Sequence, residues 1–291
     1  MTILITGAGG QLGHLVIDAL LARGADTGDL VAGARTTAKA DDLRPLGVRT
    51  VRLDYAEPDT VRAALADVDD VLLISGSDPG TRVAGHRAVI AAAADAGVRK
   101  LVYTSAPKAS TFDWPLGAEH RETEEILRES GLPTVIVRNN WYTENYLPDL
   151  ARARETGMIA AAVGQAQVAS ASRADYAEGA AVVLLEDGHL GQVYEFGGDA
   201  AWGYEELASA AGEVLGRDVT FAPITSDQQR AALMAAGLDE GTAAFVTSMD
   251  AGIAGGVLAD TDGTLSRLIG RPTTPLVDGL RSAWERSAAL D

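Results

Sequence analysis

A chain of 291 residues, 47% of them hydrophobic, with no cysteine, is long enough to bury a sizeable core without disulfide or metal staples. It fits one large α/β domain or a large domain with a smaller partner. The formal charge of −17 and a pI near 4.6 set the surface against a phosphate backbone, and no Lys/Arg cluster interrupts it, so nucleic acid is excluded as a partner. The lack of cysteine also excludes thiolate catalysis and Cys-ligated metal, and the four histidines are scattered at positions 14, 86, 120 and 189, so no metal site is expected. No apolar run approaches membrane-spanning length, and a first strand starting at residue 2 leaves no room for a signal peptide. The expectation is a soluble, cytoplasmic protein with no membrane partner.

The first predicted elements carry the strongest signal. Ile3, Leu4 and Ile5 form a short apolar run, as a parallel strand buried on both faces requires. Gly7, Gly10 and Gly13 follow at three-residue spacing, with Gly9 as a fourth glycine. Leu12, Val16 and Leu20 then recur every four residues, so the following segment has one apolar helical face. Strand, glycine turn and helix in this order make a dinucleotide fingerprint. Glycine allows the tight turn and a close approach to a pyrophosphate, and the helix N-terminus offers free N–H groups and a positive dipole end.

Further along, Leu30–Arg35 reads as a second strand. Arg35 at its carboxyl end suits the 2′-phosphate of NADP where NAD-selective folds place an acid, or else it is an ordinary surface arginine. Val48–Leu53 is a third strand followed by Asp54, which either accepts from the adenine amino group or caps the turn into a helix over Glu57–Ala66. Asp70–Ser75 is a fourth strand, with Ser75, Gly76 and Ser77 where a cofactor would pass. A helix over Thr81–Ala96 contains His86, read first as a packing or surface histidine. Lys100–Ser105 is a fifth strand, Glu119–Glu129 a charged helix, and Thr134–Arg138 a sixth strand. Strands alternating with helices in this rhythm predict a doubly wound parallel sheet, an α/β Rossmann architecture. The residues after its strands then converge on one crevice: Gly7 to Gly13, Arg35, Asp54, Ser75, Ser105 and Asn139.

Beyond residue 140 the pattern loosens. Asn139 to Tyr146 is a polar, aromatic loop, followed by a helix over Tyr146–Arg154. Another helix runs from the Ser170–Asp175 segment through Leu185, and Gln192–Gly197 is a strand that could return to the sheet. Trp202–Leu215 and Ser226–Ala236 look helical and Val219–Ala222 extended. The predicted division is a nucleotide-binding domain over 1–140 and a smaller substrate lobe over 141–291 that crosses back into the first.

A bound dinucleotide points to hydride transfer, yet the usual proton-handling pair is missing. Alcohol-oxidising short-chain dehydrogenases use Tyr-x-x-x-Lys, whereas the helix after the fifth strand offers His120 and Glu124, and Tyr103 has Pro107 four residues on. Three readings stand: an acceptor such as a quinone that needs little enzymatic protonation, His120 as the acid, or a protein that binds nucleotide without turnover. A Ser/His/Asp hydrolase is excluded for want of a Gly-x-Ser-x-Gly elbow.

The segments Thr6–His14, Tyr103–Ser105, Arg138–Tyr146, Ser172–Ala177 and Leu268–Thr274 resemble the bacterial NmrA-like NAD(P)H:quinone oxidoreductases, atypical short-chain dehydrogenases without flavin or metal. The resemblance implies NADPH along the first lobe and a quinone in the cleft between lobes. It assigns Gly7, Gly10, Gln11, Leu12 and Gly13 to the pyrophosphate, Arg35 to the 2′-phosphate, and Ser75 and Gly76 to the ribose. Thr104, Ser105 and the Asn139 to Tyr142 loop would lie by the nicotinamide. Trp141 and Tyr142 could stack on a flat acceptor, and Asn145 joins them as a candidate site residue. Gly9 stands where such proteins usually carry Thr, Gly33 lies in the second strand, and Ala106-Pro107 follows the fifth; the last departure leaves the acceptor open. Triarylmethane-dye reductases share much of the scaffold, which keeps a bulky cationic acceptor in view, and NmrA-like regulators use it to sense nucleotide. A monomer or homodimer is expected.

Overall fold

The computed structural model describes residues 1–76 and 80–288. Strand β1 (Ile3–Ile5) is buried along its whole length and leads through the glycine turn into α1 (Gln11–Ala22). There follow β2 (Leu30–Ala34), β3 (Arg49–Arg52), α2 (Pro58–Ala64), β4 (Asp70–Leu73), α3 (Arg82–Asp95), β5 (Lys100–Ser105), α4 (Pro115–Ser130) and β6 (Thr134–Asn139). Next come α5 (Leu147–Thr156), β7 (Met158–Ala161), β8 (Gln167–Val168), α6 (Arg173–Leu185) and β9 (Val193–Phe196). The seven-stranded sheet has the order β3-β2-β1-β4-β5-β6-β9, with β1 parallel to both β2 and β4. Strand order therefore reverses around β1, and a ligand at such a switch point sits beyond the strands' carboxyl ends. The return of the predicted 192–197 strand to the sheet is observed as β9 beside β6.

The chain divides into two compact units. The first comprises Met1–Ser110, Gly117–Asn139 and Arg173–Glu195, and the second Thr111–Leu116, Asn140–Ser172 and Phe196–Asp291. The sequence-based division at residue 140 is continuous, whereas α6 belongs with the first unit. In that unit Leu4, Val31, Val71, Leu73, Leu101 and Tyr103 form a buried cluster with Val61 of α2, Val89 and Ile90 of α3 and Leu127 of α4. Helix α1 packs on α6, and Arg23 reaches Glu178 at 2.7 Å. Helix α4 begins four residues before the expected Glu119, because Pro115 suits a helix's first turn.

The second unit holds β10 (Trp202–Gly203), α7 (Tyr204–Leu215), β11 (Thr220–Pro223), α8 (Ser226–Ala235), α9 (Glu240–Ala254), α10 (Thr264–Ile269) and α11 (Leu276–Ala288). Here β7 pairs in parallel with β11, and β8 pairs antiparallel with β10. Trp202 and Gly203, read from sequence as the start of a helix, are a strand instead; Trp202 is buried edge-on to Tyr146 at 5.2 Å. Tyr204 and Phe221 extend the same aromatic core, their ring centroids 5.4 Å apart. No helix among the described residues is long and apolar enough to cross a membrane.

Candidate active site

The glycine turn is fixed by backbone geometry. Gly7 has a φ of +61°, in the left-handed region that disfavours side chains. Ala8 N–H donates to Gly33 C=O at 2.9 Å, and Gly10 N–H to Gly7 C=O at 2.9 Å. Gly10 is the N-cap of α1 and makes no side-chain cap bond, while His14 N–H is the donor to Gly10 C=O. The amides of Gln11, Leu12 and Gly13 therefore lie in the first turn, where an α-helix supplies no carbonyl partner. A Cβ on Gly13 would stand 2.5 Å from Gly7 O and 2.6 Å from Ala8 Cα. Glycine at 13 is thus what lets α1 close on the turn. Gly9 also has a reason: its Cβ would meet Lys39 Cβ at 2.9 Å, so the segment after β2 occupies the space a Thr would need.

The other expected cofactor residues lie at the ends of neighbouring strands. Arg35 follows β2 and is exposed. Asp54 is half-buried after β3, with Oδ1 accepting from Ala56 N–H at 3.0 Å, so it supports the local turn, while Glu57 is the N-cap of α2. Ser75 and Gly76 are half-buried after β4; Ser77 lies outside the described residues. Ser75 N–H donates to Thr104 Oγ1 at 2.9 Å, which ties the β4 exit to β5.

Ser105 is almost completely buried, and its hydroxyl donates to Glu124 Oε1 at 2.6 Å. Arg138 grips the same carboxylate with both Nε (2.9 Å) and Nη2 (2.6 Å), reaches Glu195 at 2.9 Å, and donates to Ser110 at 2.8 Å. These carboxylates raise the Arg138 pKa against its burial. Glu124 therefore stays an acceptor, and the Ser105 proton points inward toward it. With its proton engaged, Ser105 has only lone pairs left to offer.

His120 lies on the buried face of α4, away from solvent, with Nδ1 at 2.8 Å from the hydroxyl of Tyr103. Burial pushes its pKa down to about 3, helped by the Arg82 charge. Burial pushes the Tyr103 hydroxyl upward. Both groups are neutral near pH 7. His86, read from sequence as a packing or surface residue, is fully buried and bonded at both ring nitrogens: Nε2 to Gly76 N–H at 3.0 Å and Nδ1 to Thr123 Oγ1 at 3.0 Å.

Asn139 ends β6, buried in the first unit, while Trp141, Tyr142 and Asn145 are half-buried in the second. There the Asn140 amide shapes the segment: Oδ1 accepts from Trp141 N–H at 2.6 Å and Nδ2 donates to Leu258 C=O at 3.1 Å. Thr143 N–H donates to Ala171 C=O at 3.0 Å, and its hydroxyl meets Ser170 Oγ at 2.9 Å. Sequence reasoning passed over Thr6, Tyr55 and Arg82, which bond to backbone at the strand ends. For Thr6 the available signal was a polar residue directly after an apolar strand; Tyr55 and Arg82 carried none. Among the described residues no cluster of His, Asp or Glu could hold a metal ion.

A family model described as NAD(P)H-binding matches residues 7–187. The chain belongs to this NAD(P)H-binding family. It is 42% identical to quinone oxidoreductase 2 of Escherichia coli over 278 residues, 96% of this chain and 97% of that protein. The crystal structure of an NADPH-dependent quinone oxidoreductase from E. coli, complexed with NADPH, matches with a TM-score of 0.91 and 41% identity over all of both chains. The triphenylmethane reductase of Citrobacter sp., complexed with NADP(H), also gives a TM-score of 0.91, at 33% identity over 97% of this chain and all of that one. The glycine cradle suits such a dinucleotide, because Gly13 leaves α1 seated against the turn with first-turn amides that have no carbonyl partner within the helix.

Proposed function

We propose that this protein is an NADPH-dependent reductase of quinone-like acceptors that works without flavin or metal. The observation that carries this is the Gly13 cradle, in a chain 42% identical to quinone oxidoreductase 2 over nearly its whole length. When bound, the reduced nicotinamide supplies two electrons with one hydrogen, and one further proton completes the hydroquinone. The amides of Gln11, Leu12 and Gly13 would hold the pyrophosphate, with Gly7 and Gly10 shaping the turn. Arg35 would pair with the 2′-phosphate, and Asp54, Ser75 and Gly76 would line the adenosine and ribose path. Thr104, Ser105 and Asn139 would orient the nicotinamide, Ser105 through the lone pairs that its bond to Glu124 leaves outward. Trp141, Tyr142 and Asn145 would meet the acceptor.

The proton comes from water in this reading. His120 is neutral with a pKa near 3 and its Nδ1 is engaged by Tyr103, so a charged imidazolium is not at hand at neutral pH. A quinone needs no stronger acid, since its reduced oxygens take protons from solvent. The second reading is reduction of a triarylmethane dye. It is favoured by the net charge of −17, which attracts a cationic acceptor. We further take the protein to be cytoplasmic, consistent with a chain lacking cysteine, and to act as a monomer or homodimer.

The test is NADPH oxidation against a panel of benzoquinones, naphthoquinones and triarylmethane dyes. Turnover with the quinones is expected, and faster turnover with the dyes would favour the second reading. NADPH binding without turnover of any acceptor would sink both and leave a nucleotide sensor.

A further inference from the structure

Ile74, Ser75 and Gly76 leave the sheet at the end of β4, yet side chains take up their peptide groups one after another. Ile74 N–H donates to Thr6 Oγ1 at 2.9 Å, and Ile74 C=O accepts from the Tyr55 hydroxyl at 2.8 Å. Ser75 N–H donates to Thr104 Oγ1 at 2.9 Å. Gly76 N–H donates to His86 Nε2 at 3.0 Å, and Gly76 C=O accepts from Arg82 Nε at 2.6 Å. The five side chains come from the ends of β1, β3 and β5 and from α3. An irregular strand exit ordinarily owes its shape to turn bonds or water, whereas this one is fixed by side chains already locked in the core.

His86 is the member whose chemistry is most restrictive. A peptide N–H only donates, so Nε2 must carry the lone pair. Thr123 donates its own proton to Glu119 C=O at 2.9 Å, so its oxygen accepts from His86 Nδ1–H. The ring is therefore a neutral imidazole in one tautomer, buried edge-on between Tyr55 and Tyr103 with ring centroids at 6.0 and 5.4 Å. An aliphatic side chain could fill the space but would leave the Gly76 N–H without its acceptor.

We propose that His86 is a positioning residue for the cofactor: with Arg82 it holds both peptide groups of Gly76, so that the β4 exit is already in the form that receives the dinucleotide. The proposal rests on the reading that NADPH lies along the strand ends. Preorganisation of this kind strengthens binding by removing the ordering cost from the binding step.

The test compares wild type with His86→Leu, which removes the acceptor, and His86→Gln, whose Oε1 can accept the same N–H. Two quantities are read: the NADPH dissociation constant by fluorescence titration, and amide hydrogen exchange of the peptide covering 74–76 in the ligand-free protein. His86→Leu is expected to weaken NADPH about tenfold, the scale of one lost buried hydrogen bond, and to speed exchange at this peptide. His86→Gln should recover most of both. Equal weakening in the two variants would overturn the proposal, since filling space and not the Gly76 bond would then matter. Faster exchange with unchanged NADPH affinity in His86→Leu would overturn it too. A wild type that binds no NADPH would fell the cofactor reading and this proposal together, whereas the preceding results fell only this one. If His86→Leu does not fold, Arg82→Met removes the other hold on Gly76, from Nε to its C=O, and should weaken NADPH about tenfold; no change in affinity would again overturn the proposal.

Discussion

The two units fix their candidate site residues by different physical means. In the first, position is a property of the backbone: Gly7 is left-handed, Gly13 leaves no room for a Cβ, and Ile74 to Gly76 are bonded peptide by peptide to buried side chains. In the second, the segment after β6 is held by backbone bonds to Phe196 and Ala171, by the Asn140 and Thr143 side chains and by the burial of Tyr146. It leaves Trp141, Tyr142 and Asn145 half-buried. A nucleotide site made of backbone cannot change without disturbing the fold. Partly exposed side chains such as Trp141, Tyr142 and Asn145 can. The same scaffold thus serves a quinone oxidoreductase in one relative and a triphenylmethane reductase in another.

The largest effect is expected from Gly13→Ala. The added Cβ has to displace Gly7 O and Ala8 Cα, which are backbone atoms and cannot rotate away. Overpacking of this kind costs about 1–3 kcal/mol of stability, and moving α1 off the turn should weaken NADPH more than tenfold. Thermal unfolding with an NADPH titration measures both, and wild-type affinity in this variant would show that the close approach is not needed. Arg35→Ala tests a side chain in the same unit and should leave stability alone. It is expected to weaken NADPH by about ten- to a hundredfold, the range of a hydrogen-bonded charge, and NADH hardly at all. Equal losses for the two nucleotides would show that Arg35 does not read the phosphate.

The difference between the units also explains what could be read from the chain. Ile3 to Ile5, the glycine spacing and the Leu12, Val16, Leu20 stripe are local patterns, and they predict the strand, turn and helix observed as β1, the glycine turn and α1. The positions of Arg35, Asp54, Ser75, Thr104 and Ser105 were legible for the same reason: each lies in or just beyond the carboxyl end of a strand whose pattern is local. His86 and His120 were not. Both sit on helices among charged residues, and their burial depends on Tyr103 and Thr123, which come from other elements. In the second unit β7 and β8 were invisible because Met158–Ala161 and Gln167–Val168 are too short to show alternation. Trp202 looked helical because its strand character comes from pairing with Val168.

A substitution in the second unit should separate the two halves cleanly. Trp141→Ala removes a half-buried ring without touching the backbone bonds that Asn140 and Thr143 make. Stacking on an aromatic partner contributes about 0.5–1.5 kcal/mol, so the quinone KM should rise about two- to tenfold while the NADPH dissociation constant stays as it was. A parallel loss of NADPH affinity would contradict the assignment of Trp141 to the acceptor.

A further effect is expected on the pH dependence of stability, where the two units should pull in opposite directions. In the first, burial holds His86 and His120 down at about 3, below their unfolded value near 6.5. The unfolded chain binds more protons below that value, so their contribution is complete above about pH 6.5 and is lost as pH falls. In the second, burial raises Asp149 of α5 to about 6, with Asp250 adding to the shift and Arg152 opposing it. Asp250 is itself raised by burial, although Ala162 N–H and Gln229 Nε2 bond to it at 3.0 and 2.6 Å. Here the folded chain binds the proton more tightly, so stability falls as pH rises from about 4 to 6 and is level beyond. Asp149→Asn removes that opposing slope and keeps the side chain's shape. Its melting temperature should match wild type at pH 4 and exceed it by a few degrees at pH 7, about 2–3 kcal/mol being the upper bound. The gap should open between pH 4 and 6, so that the variant's stability climbs more steeply toward neutrality than the wild type's. A gap of the same size at every pH would mean that Asp149 is felt through packing and not through its charge, and the acid limb would then belong to the first unit's histidines alone.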